Sequence, residues 1–359
     1  MLDTTPVTSR RLARYYLIDG DNLERAYKYH LSGYPEWDQK GHAGDWMLLP
    51  DNLGKNLSID ETSLHDDLFT FLSNKDGHCR QGTIIAAVRG TKAEDVIKVL
   101  MRLPEEGRLK VEEVTMDLST SMQDIITAVF PNATIVLDCF HVIKRCNDAI
   151  EEMRLKSKRD AQVDNRREER KFRERMKRNE YHRKWYRKTH PKTYTGKVRG
   201  RKPARKNEKY RPPVLSNGDT VIELLTRTKR SLTQSPEKWS GKQNERMTLM
   251  FEKYPKIKDA YWLVNQLRSV FRSKTLDRES AKPKFEEWYK AVNACSSREV
   301  KAARDTIKSR EDEVLNYFVN RSTNAAAESL NSKLKSFRAQ LRGVSDLPFF
   351  MFRLSKIFG

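Results

Sequence analysis

Short apolar runs separated by turn residues mark the first 150 residues of the chain. The runs at 56–60, 68–72, 83–88, 111–116 and 133–137 have the length and the β-branched or aromatic content of strands. Apolar positions at helical spacing fill 91–103 and 121–130, and each helix ends at a proline. The capping box TKAE at 91–94 opens the first helix, and Ser121 with Asp124 opens the second. Three hairpin-linked strands, followed by helix, strand, helix and strand, predict an α/β fold with a mixed five-stranded sheet.

The C-terminal part of the chain has helical periodicity throughout. Residues 219–320 predict several amphipathic helices whose expected core anchors are Trp239, Tyr261, Trp262, Phe285 and Trp288. A last helix is predicted over 325–341, capped by Thr323 and Asn324. Its apolar face consists of Leu330, Leu334, Phe337 and Leu341. Its opposite, polar face consists of Glu328, Asn331, Lys335, Arg338 and Arg342.

Most of the net positive charge of the chain lies in one segment. The 359 residues carry a net charge of +21, and residues 154–211 hold 25 Lys and Arg against seven Asp and Glu. That segment therefore carries +18 and the remaining 301 residues only +3. Such a concentrated positive charge favours a polyanionic partner, nucleic acid first. Small-molecule metabolism becomes a weaker explanation.

The basic segment has two halves. Residues 150–190 alternate acids and bases without Pro or Gly, which predicts a long exposed helix with i,i+4 ion pairs. Residues 191–218 contain repeated Pro and Gly and predict a flexible strap. A solvated helix and linker would explain this pattern too, but interleaved aromatics favour DNA contact. The expected DNA-binding residues are Arg166, Arg167, Arg170, Lys171, Arg183, Lys184, Trp185, Arg201, Lys202, Lys335, Arg338 and Arg342.

The absence of certain sequence features indicates the cellular compartment of the protein. Its four cysteines are too few for a disulfide scaffold, so a reducing, intracellular environment is expected. Cys139 and Cys146 flank His141 without a convincing fourth metal ligand and are interpreted as packing residues. The N-terminus has no signal-peptide stretch, and no apolar run of about 18 residues could span a membrane.

Three carboxylates are the candidate chemistry. Asp60 lies in the first predicted strand, Asp117 ends the fourth, and Glu328 lies on the last helix. Central parallel strands would place both aspartates at one sheet edge, where ligands bind. Such a set suits two Mg²⁺ or Mn²⁺ ions about 3.5–4 Å apart at a phosphodiester. Each acid taken alone could equally be a loop or cap residue.

The same residues carry a resemblance to a known family. The strings are SIDET at 58–62, VTMDL at 114–118, FPNATIVLDCFHVIK at 130–144, TNAAAESLN at 323–331 and RAQLRG at 338–343. They resemble the bacterial insertion-sequence DDE transposases of the ISL type, whose signature includes Asp-x-Phe-His. The closer likeness is to the form in which a separate small protein supplies the N-terminal region, since only about 50 residues without cysteine precede the sheet.

The resemblance implies a ribonuclease-H-like fold with a large, mostly helical insertion before the last catalytic helix. Asp60, Asp117 and Glu328 would be its catalytic, metal-binding acids. Asp138 also ends a strand and is the rival for the second position. The expected supporting residues are Asp138, His141, Asn324 and Asn331, although His141 could equally be a satisfied buried histidine. Glu61 should point away from Asp60 and is a less favoured ligand.

The implied activity is transposition: cleavage of element ends and transfer of the 3′-hydroxyl to target DNA by two-metal phosphoryl transfer. Two alternatives remain, a non-catalytic DNA-binding protein derived from a transposase and a ribonuclease-H-like nuclease or resolvase. Expected partners are double-stranded DNA, further copies of the chain in a DNA complex and the small N-terminal-region protein, all in the bacterial cytoplasm near the nucleoid. The expected organisation is an extension (1–55), the first part of the core (56–150), the basic segment (151–218), a helical insertion (219–320) and the catalytic helix (321–359).

Overall fold

A mixed sheet organises the first of two units in this computed structural model. The structure describes residues 1–64, 67–191, 209–341, 344 and 346–359. The strands are β1 (Trp46–Leu48), β2 (Asn56–Leu64), β3 (Asp67–Asn74), β4 (Ile84–Arg89), β5 (Glu113–Met116) and β6 (Thr134–Leu137). Their order is β1-β4-β3-β2-β5-β6, antiparallel from β1 to β2 and parallel from β2 through β5 to β6. The fold is mixed α/β, consistent with a ribonuclease-H-like transposase.

The sheet differs from the sequence prediction in its strand count. All five predicted strands are present, and β1 adds a sixth at the edge, where it pairs antiparallel with β4. Three residues are too few to display an alternating pattern, which is why this strand was missed. Strand β2 is also longer than predicted, because its pairing with β3 continues to Leu64 opposite Asp67.

Helices form most of the rest of the described chain. The helices of the first 137 residues are α1 (Ser9–Tyr16), α2 (Gly20–Ala26), α3 (Ala93–Leu100), α4 (Glu105–Leu109) and α5 (Thr120–Val129). Then follow α6 (Cys139–Thr189), α7 (Val221–Arg227), α8 (Lys229–Leu232), α9 (Gly241–Lys253), α10 (Pro255–Arg272), α11 (Arg278–Ala294), α12 (Arg298–Lys308), α13 (Glu311–Leu315), α14 (Tyr317–Asn320), α15 (Ala325–Gln340) and α16 (Leu347–Phe358). No helix in these ranges is long and apolar enough to cross a membrane.

The predicted starts of two helices were wrong. The residue that caps α3 is Lys92, without a side-chain hydrogen bond, so the predicted capping box does not form. The cap of α5 is Ser119, whose side chain accepts from the Met122 amide. Ser121 instead donates its hydroxyl to the Thr91 carbonyl at 2.8 Å. Tertiary contact has therefore replaced a local cap that the sequence also permitted.

The long helix α6 contains 51 residues and starts earlier than the predicted residue 150. Its first turns bury Val142, Cys146 and Ile150, whereas side chains beyond Arg154 are mostly exposed. The long exposed helix is thus confirmed. The predicted strap falls largely on residues 192–208, which lie outside the described residues.

Two compact units divide the chain. One comprises residues 1–144, 270–286 and 306–359, and the other residues 145–269 and 287–305. In the second unit, Tyr261 and Trp288 are fully buried as predicted, and the Trp288 indole donates to the Leu263 carbonyl at 2.8 Å. Trp262, however, is 48% exposed, because adjacent helical residues point about 100° apart and Tyr261 takes the inward direction.

The last two helices pack against the sheet of the first unit. Leu330, Leu334 and Phe337 of α15 join α16 and strand residues in one buried cluster. Leu341, predicted on the same face, is 36% exposed and lies beyond the helix end at Gln340. Asn331 was predicted on the polar face but is only 7% exposed, because it lies at the margin between the two faces.

Candidate active site

Strand register brings three aspartates together. Ser58 of β2 pairs with Thr115 of β5, so Asp60 lies level with Asp117, two residues further along each strand. Met116 of β5 pairs with Leu137 of β6, so Asp117 is in turn level with Asp138. Asp60 lies within β2 just beyond its parallel pairing with β5, and Asp117 and Asp138 follow directly after β5 and β6. The ends of the parallel pairing therefore present three carboxylates at one edge of the sheet.

Helix α15 adds polar side chains to this edge. The Asn331 amide donates to Asp60 Oδ2 at 2.6 Å, and the Asn324 amide donates to Asp117 Oδ1 at 3.4 Å. Glu328 lies between these two asparagines in the sequence, four residues after one and three before the other, so all three share one helical face. The two amide contacts align this face with the ends of β2 and β5.

His141 lies between two of the aspartates. Its Nδ1 is 2.9 Å from Asp117 Oδ1 and 3.1 Å from Asp138 Oδ2. Burial alone would lower the pKa of His141, but hydrogen bonds and charge from Asp117 and Asp138 outweigh it and raise the pKa to about 9. The imidazole is therefore a cation at neutral pH, with Nδ1–H as the donor to these carboxylates.

Asp60 is the most perturbed carboxylate of the site. Burial and repulsion from Asp117, with a smaller contribution from Glu328, raise its pKa to about 6. Its own Oδ1 accepts from the Glu61 amide at 2.7 Å, which opposes that rise. Burial and the charge of Asp117 also raise the pKa of Glu61. Strong mutual repulsion among carboxylates gathered at one edge of a sheet is typical of functional positions.

The acidic site is defined here as Asp60, Asp117, Asp138 and Glu328, and its members differ in accessibility. The Asp138 side chain is only 3% exposed and accepts from His141 and from the Phe140 amide, so its position resembles a helix N-cap. The Asp117 side chain is 24% exposed, and Glu328 is exposed. Asp117 and Glu328 are thus open to a ligand, whereas Asp138 is enclosed by protein.

The donor set fits a hard divalent cation. In the described part of the chain, the side-chain ligand atoms of Asp117, Asp138 and His141 all lie within 4.8 Å of one another. We interpret His141 as an internal counter-cation there, because its protonated Nδ1 cannot also bind metal. The repulsion acting on Asp60 is the kind that a bound cation relieves. In addition, the buried Asn324 Oδ1 has no hydrogen-bond partner among the described residues.

The predicted DNA-binding residues fall into three sets. Arg166, Arg167, Arg170, Lys171, Arg183, Lys184 and Trp185 are all exposed on α6. Lys335 is exposed on α15, and Arg338 donates to the Ser63 carbonyl at 2.9 Å. Arg201, Lys202 and Arg342 lie outside the described residues.

The sequence does not predict the contact of Asn331 with Asp60. Asn331 is expected as a supporting residue on the polar face of the last helix, and its contact with Asp60 spans 271 residues of sequence. The available signal was the spacing of Asn324, Glu328 and Asn331, which places amides on both sides of the carboxylate along one helical face.

A mixed sheet with acids at its parallel strand ends indicates, together with the following family match, a nucleic-acid-processing enzyme of the DDE type. The sequence profile of the ISL3-type DDE transposases, described as "Transposase", matches residues 57–354. The chain belongs to this family, as its motifs predicted. DDE transposases normally use a divalent metal ion, and the candidate acidic group described above is present. No curated protein and no solved structure matches the chain.

Proposed function

We propose that this transposase cleaves the ends of its insertion element and joins the freed 3′-hydroxyl to target DNA. Asp60, Asp117 and Glu328 are the catalytic acids in this proposal. The observation that carries it is the double amide contact of α15, in which Asn331 binds Asp60 and Asn324 binds Asp117. These contacts tie the helix that bears Glu328 to both strand-end aspartates.

Asp60, Asp117 and Glu328 would hold Mg²⁺ or Mn²⁺, two ions in the full site. Bound metal supplies Lewis-acid activation of the attacking oxygen and charge stabilisation at the leaving oxygen. Asp138 and His141 are supporting residues, because Asp138 is enclosed and His141 donates to Asp117. The contact of His141 with Asp117 fixes Oδ1 of that carboxylate and leaves Oδ2 for a ligand.

Both chemical steps are in-line displacements at phosphorus. In cleavage, the oxygen of water bonds to phosphorus while the bond from phosphorus to the 3′-oxygen breaks, and the water proton passes to solvent. The 3′-oxygen leaves and takes up a proton from solvent to become the 3′-hydroxyl. In joining, the oxygen of that hydroxyl bonds to phosphorus of a target phosphodiester and its proton passes to solvent, while the target's own 3′-oxygen leaves and is protonated by solvent. One acidic site serves both steps because the reacting groups are the same.

The protein's part in these steps is to hold carboxylates at fixed positions. Asn331 restrains Asp60, and Asn324 with His141 restrains Asp117. Preorganised ligands cost no rearrangement when charge develops in the transition state. The enclosure of Asp138 by His141 and backbone amides keeps that third aspartate out of competition for metal.

DNA binding is assigned to the basic helix, defined as residues 154–189 of α6, and to the cations that follow it. Exposed Lys and Arg along this helix would contact phosphates without reading sequence. The helices between β6 and α15 form an insertion within a ribonuclease-H-like core in this proposal. Self-association in the DNA complex and a separate N-terminal-region protein are further parts of it that rest on the family resemblance.

The test is strand cleavage and joining in Mg²⁺ by the full chain, on a plasmid that carries both element ends. Asp60→Asn and Glu328→Gln should abolish both reactions and leave DNA binding nearly intact, because a neutral amide is a poor ligand for a hard cation. Asp51→Asn, a change at an exposed acid remote from the site, is the matched control and should remain active.

Three outcomes would contradict the proposal. Activity in Glu328→Gln would remove that residue from the site. Joint loss of folding, measured by circular dichroism, and of binding would assign the acids a structural role. Cleavage by the wild-type chain without any joining would instead favour a ribonuclease-H-like nuclease.

A further inference from the structure

An exposed phenylalanine stands beside the acidic site. The chain has 14 phenylalanines, and within the described residues Phe140 is the only one that is exposed, at 59%. The others are buried or half-buried. Single exposed apolar side chains are common on protein surfaces, so what distinguishes Phe140 is its place beside the acidic site.

The position of Phe140 is fixed by the site itself. It lies in the first turn of α6, directly after the end of β6, and its amide donates to Asp138 Oδ1 at 3.4 Å. Its ring meets the His141 ring edge to face, with centroids 5.3 Å apart and planes at 88°. His141 in turn contacts Asp117 at 2.9 Å. One side chain therefore separates the exposed ring from a catalytic acid.

We propose that Phe140 stacks on the nucleobase next to the scissile phosphodiester. This inference rests on the proposed function, because DNA must lie across the acidic site for the reaction to occur. A phosphate or sugar offers no flat surface to an aromatic ring, whereas every base has one. Because only His141 lies between the Phe140 ring and Asp117, the nucleotide that adjoins a phosphate at the acids would lie beside this exposed ring.

Stacking on a protein ring has a consequence for the DNA. A base in a duplex is already stacked on both faces, so contact with Phe140 requires that this base leave its neighbours. Apolar side chains inserted beside a base step unstack and bend the duplex in this way. Phe140 thus acts as a substrate-contacting residue that presents the scissile bond to the acids in a distorted segment.

The experiment pairs protein variants with DNA lacking single bases. Wild type and Phe140→Ala are assayed for cleavage on duplexes carrying one element end, with one abasic site moved position by position around the cut. We expect Phe140→Ala to lose about 5-fold to 150-fold in rate on intact DNA. At one abasic position next to the cut, wild type and variant should become equal, since the ring has lost its partner.

Further variants separate stacking from other roles. Phe140→Trp should retain the wild-type rate, and Phe140→Leu, which keeps apolar volume without a π-face, should behave like Phe140→Ala. Trp262→Ala, at a 48% exposed aromatic in the other unit, is the control and should be unaffected. 2-Aminopurine at the indicated position should brighten with wild type and stay quenched with Phe140→Ala.

Several results would overturn the inference. An unchanged rate for Phe140→Ala would do so, as would a loss of equal size at every abasic position, which would mean that Phe140 acts only through His141. A Phe140→Ala variant that no longer binds a second copy of the chain, yet cleaves at the wild-type rate, would assign the ring to a protein interface. Asp60→Asn separates these failures from failure of the proposed function, because that variant tests the acids without involving Phe140.

Discussion

The acidic site and the basic helix are both rich in charge, yet they are built in opposite ways. The acidic site assembles Asp60, Asp117, Asp138 and Glu328 from positions up to 268 residues apart, through strand register and the face of α15. The basic helix uses local spacing, with ion pairs three or four residues apart, such as Glu168 with Lys171 at 2.7 Å. Chemistry is thus tied to tertiary structure in one region and to secondary structure in the other.

The acidic site and the basic helix also differ in solvent exposure. In the acidic site, burial and repulsion raise the pKa of Asp60 to about 6, and two carboxylates raise that of His141 to about 9. On the basic helix the pair of Arg173 and Glu169 at 2.5 Å is largely exposed and screened by water. The first arrangement can tune a reaction, whereas the second supplies a field that attracts polyanions.

The largest expected effect concerns the basic helix. Deleting residues 156–211 should flatten the salt dependence of non-specific DNA binding. Even six to ten phosphate contacts predict a loss of about 10³–10⁵ in affinity between 50 and 200 mM salt for the intact chain. Fluorescence anisotropy on random duplex DNA at several salt concentrations measures the slope.

An unchanged slope after the deletion would mean that the helix is only a solvated arm. The matched control is the full-length chain carrying Glu168→Gln and Glu169→Gln, which should steepen the slope slightly. If instead the deletion erased selectivity for element ends and spared affinity for random DNA, the segment would read sequence, and the case for a separate recognition protein would fail.

The next effect concerns the amide that holds Asp60. Asn331→Leu removes a 2.6 Å hydrogen bond to a half-buried carboxylate, so we expect about a 10–100-fold loss in cleavage rate or apparent Mg²⁺ affinity. Mg²⁺ titrations of the cleavage rate measure both quantities. Ser332→Ala, at an exposed neighbour on the same helix, should change neither. Normal Mg²⁺ dependence in Asn331→Leu would show that Asp60 needs no support.

A smaller effect, on the free energy of unfolding, should distinguish a buried ion pair from an exposed one. Glu113 of β5 is buried and pairs with Lys75 at 2.7 Å. Burial alone raises the pKa of Glu113, but hydrogen bonds from Lys75 and neighbouring side chains outweigh it and lower the pKa below 4.5. Glu113→Gln should therefore cost about 1.5–3 kcal/mol in free energy of unfolding at neutral pH. Glu169→Gln on the basic helix should cost less than about 1 kcal/mol.

The pH dependence of the stability difference between wild type and Glu113→Gln follows from the direction of the Glu113 pKa shift. A carboxylate with a lowered folded pKa contributes stability above its unfolded pKa, and this contribution is lost as pH falls through the folded pKa. Denaturant unfolding of wild type and Glu113→Gln should therefore differ at pH 7 and converge well below pH 4.5. Curves that stay apart in acid would mean that the substitution acts through packing.

Much of this molecule was accessible from sequence because its signals are local. Short apolar runs rich in β-branched and aromatic residues identified five strands, and the charge pattern identified the exposed α6, since each depends on near neighbours. The three-residue β1, the cap at Ser119 and the exposure of Trp262 were missed, because tertiary contacts decided them. Strand placement and the family resemblance both indicated the acids, and the spacing of Asn324 and Asn331 gives their shared helical face. Which aspartate each amide contacts depends on how α15 packs against β2.

The most direct test of the central claim is Mn²⁺ binding by the full chain, measured by isothermal titration calorimetry, for single substitutions of the three strand-end aspartates. We predict that Asp60→Asn and Asp117→Asn abolish or severely weaken binding, because each removes an accessible charged ligand. Asp138→Asn should retain it, since that carboxylate is 3% exposed and engaged by His141. Binding that survives Asp117→Asn and disappears in Asp138→Asn would contradict the account and make Asp138 the second catalytic acid.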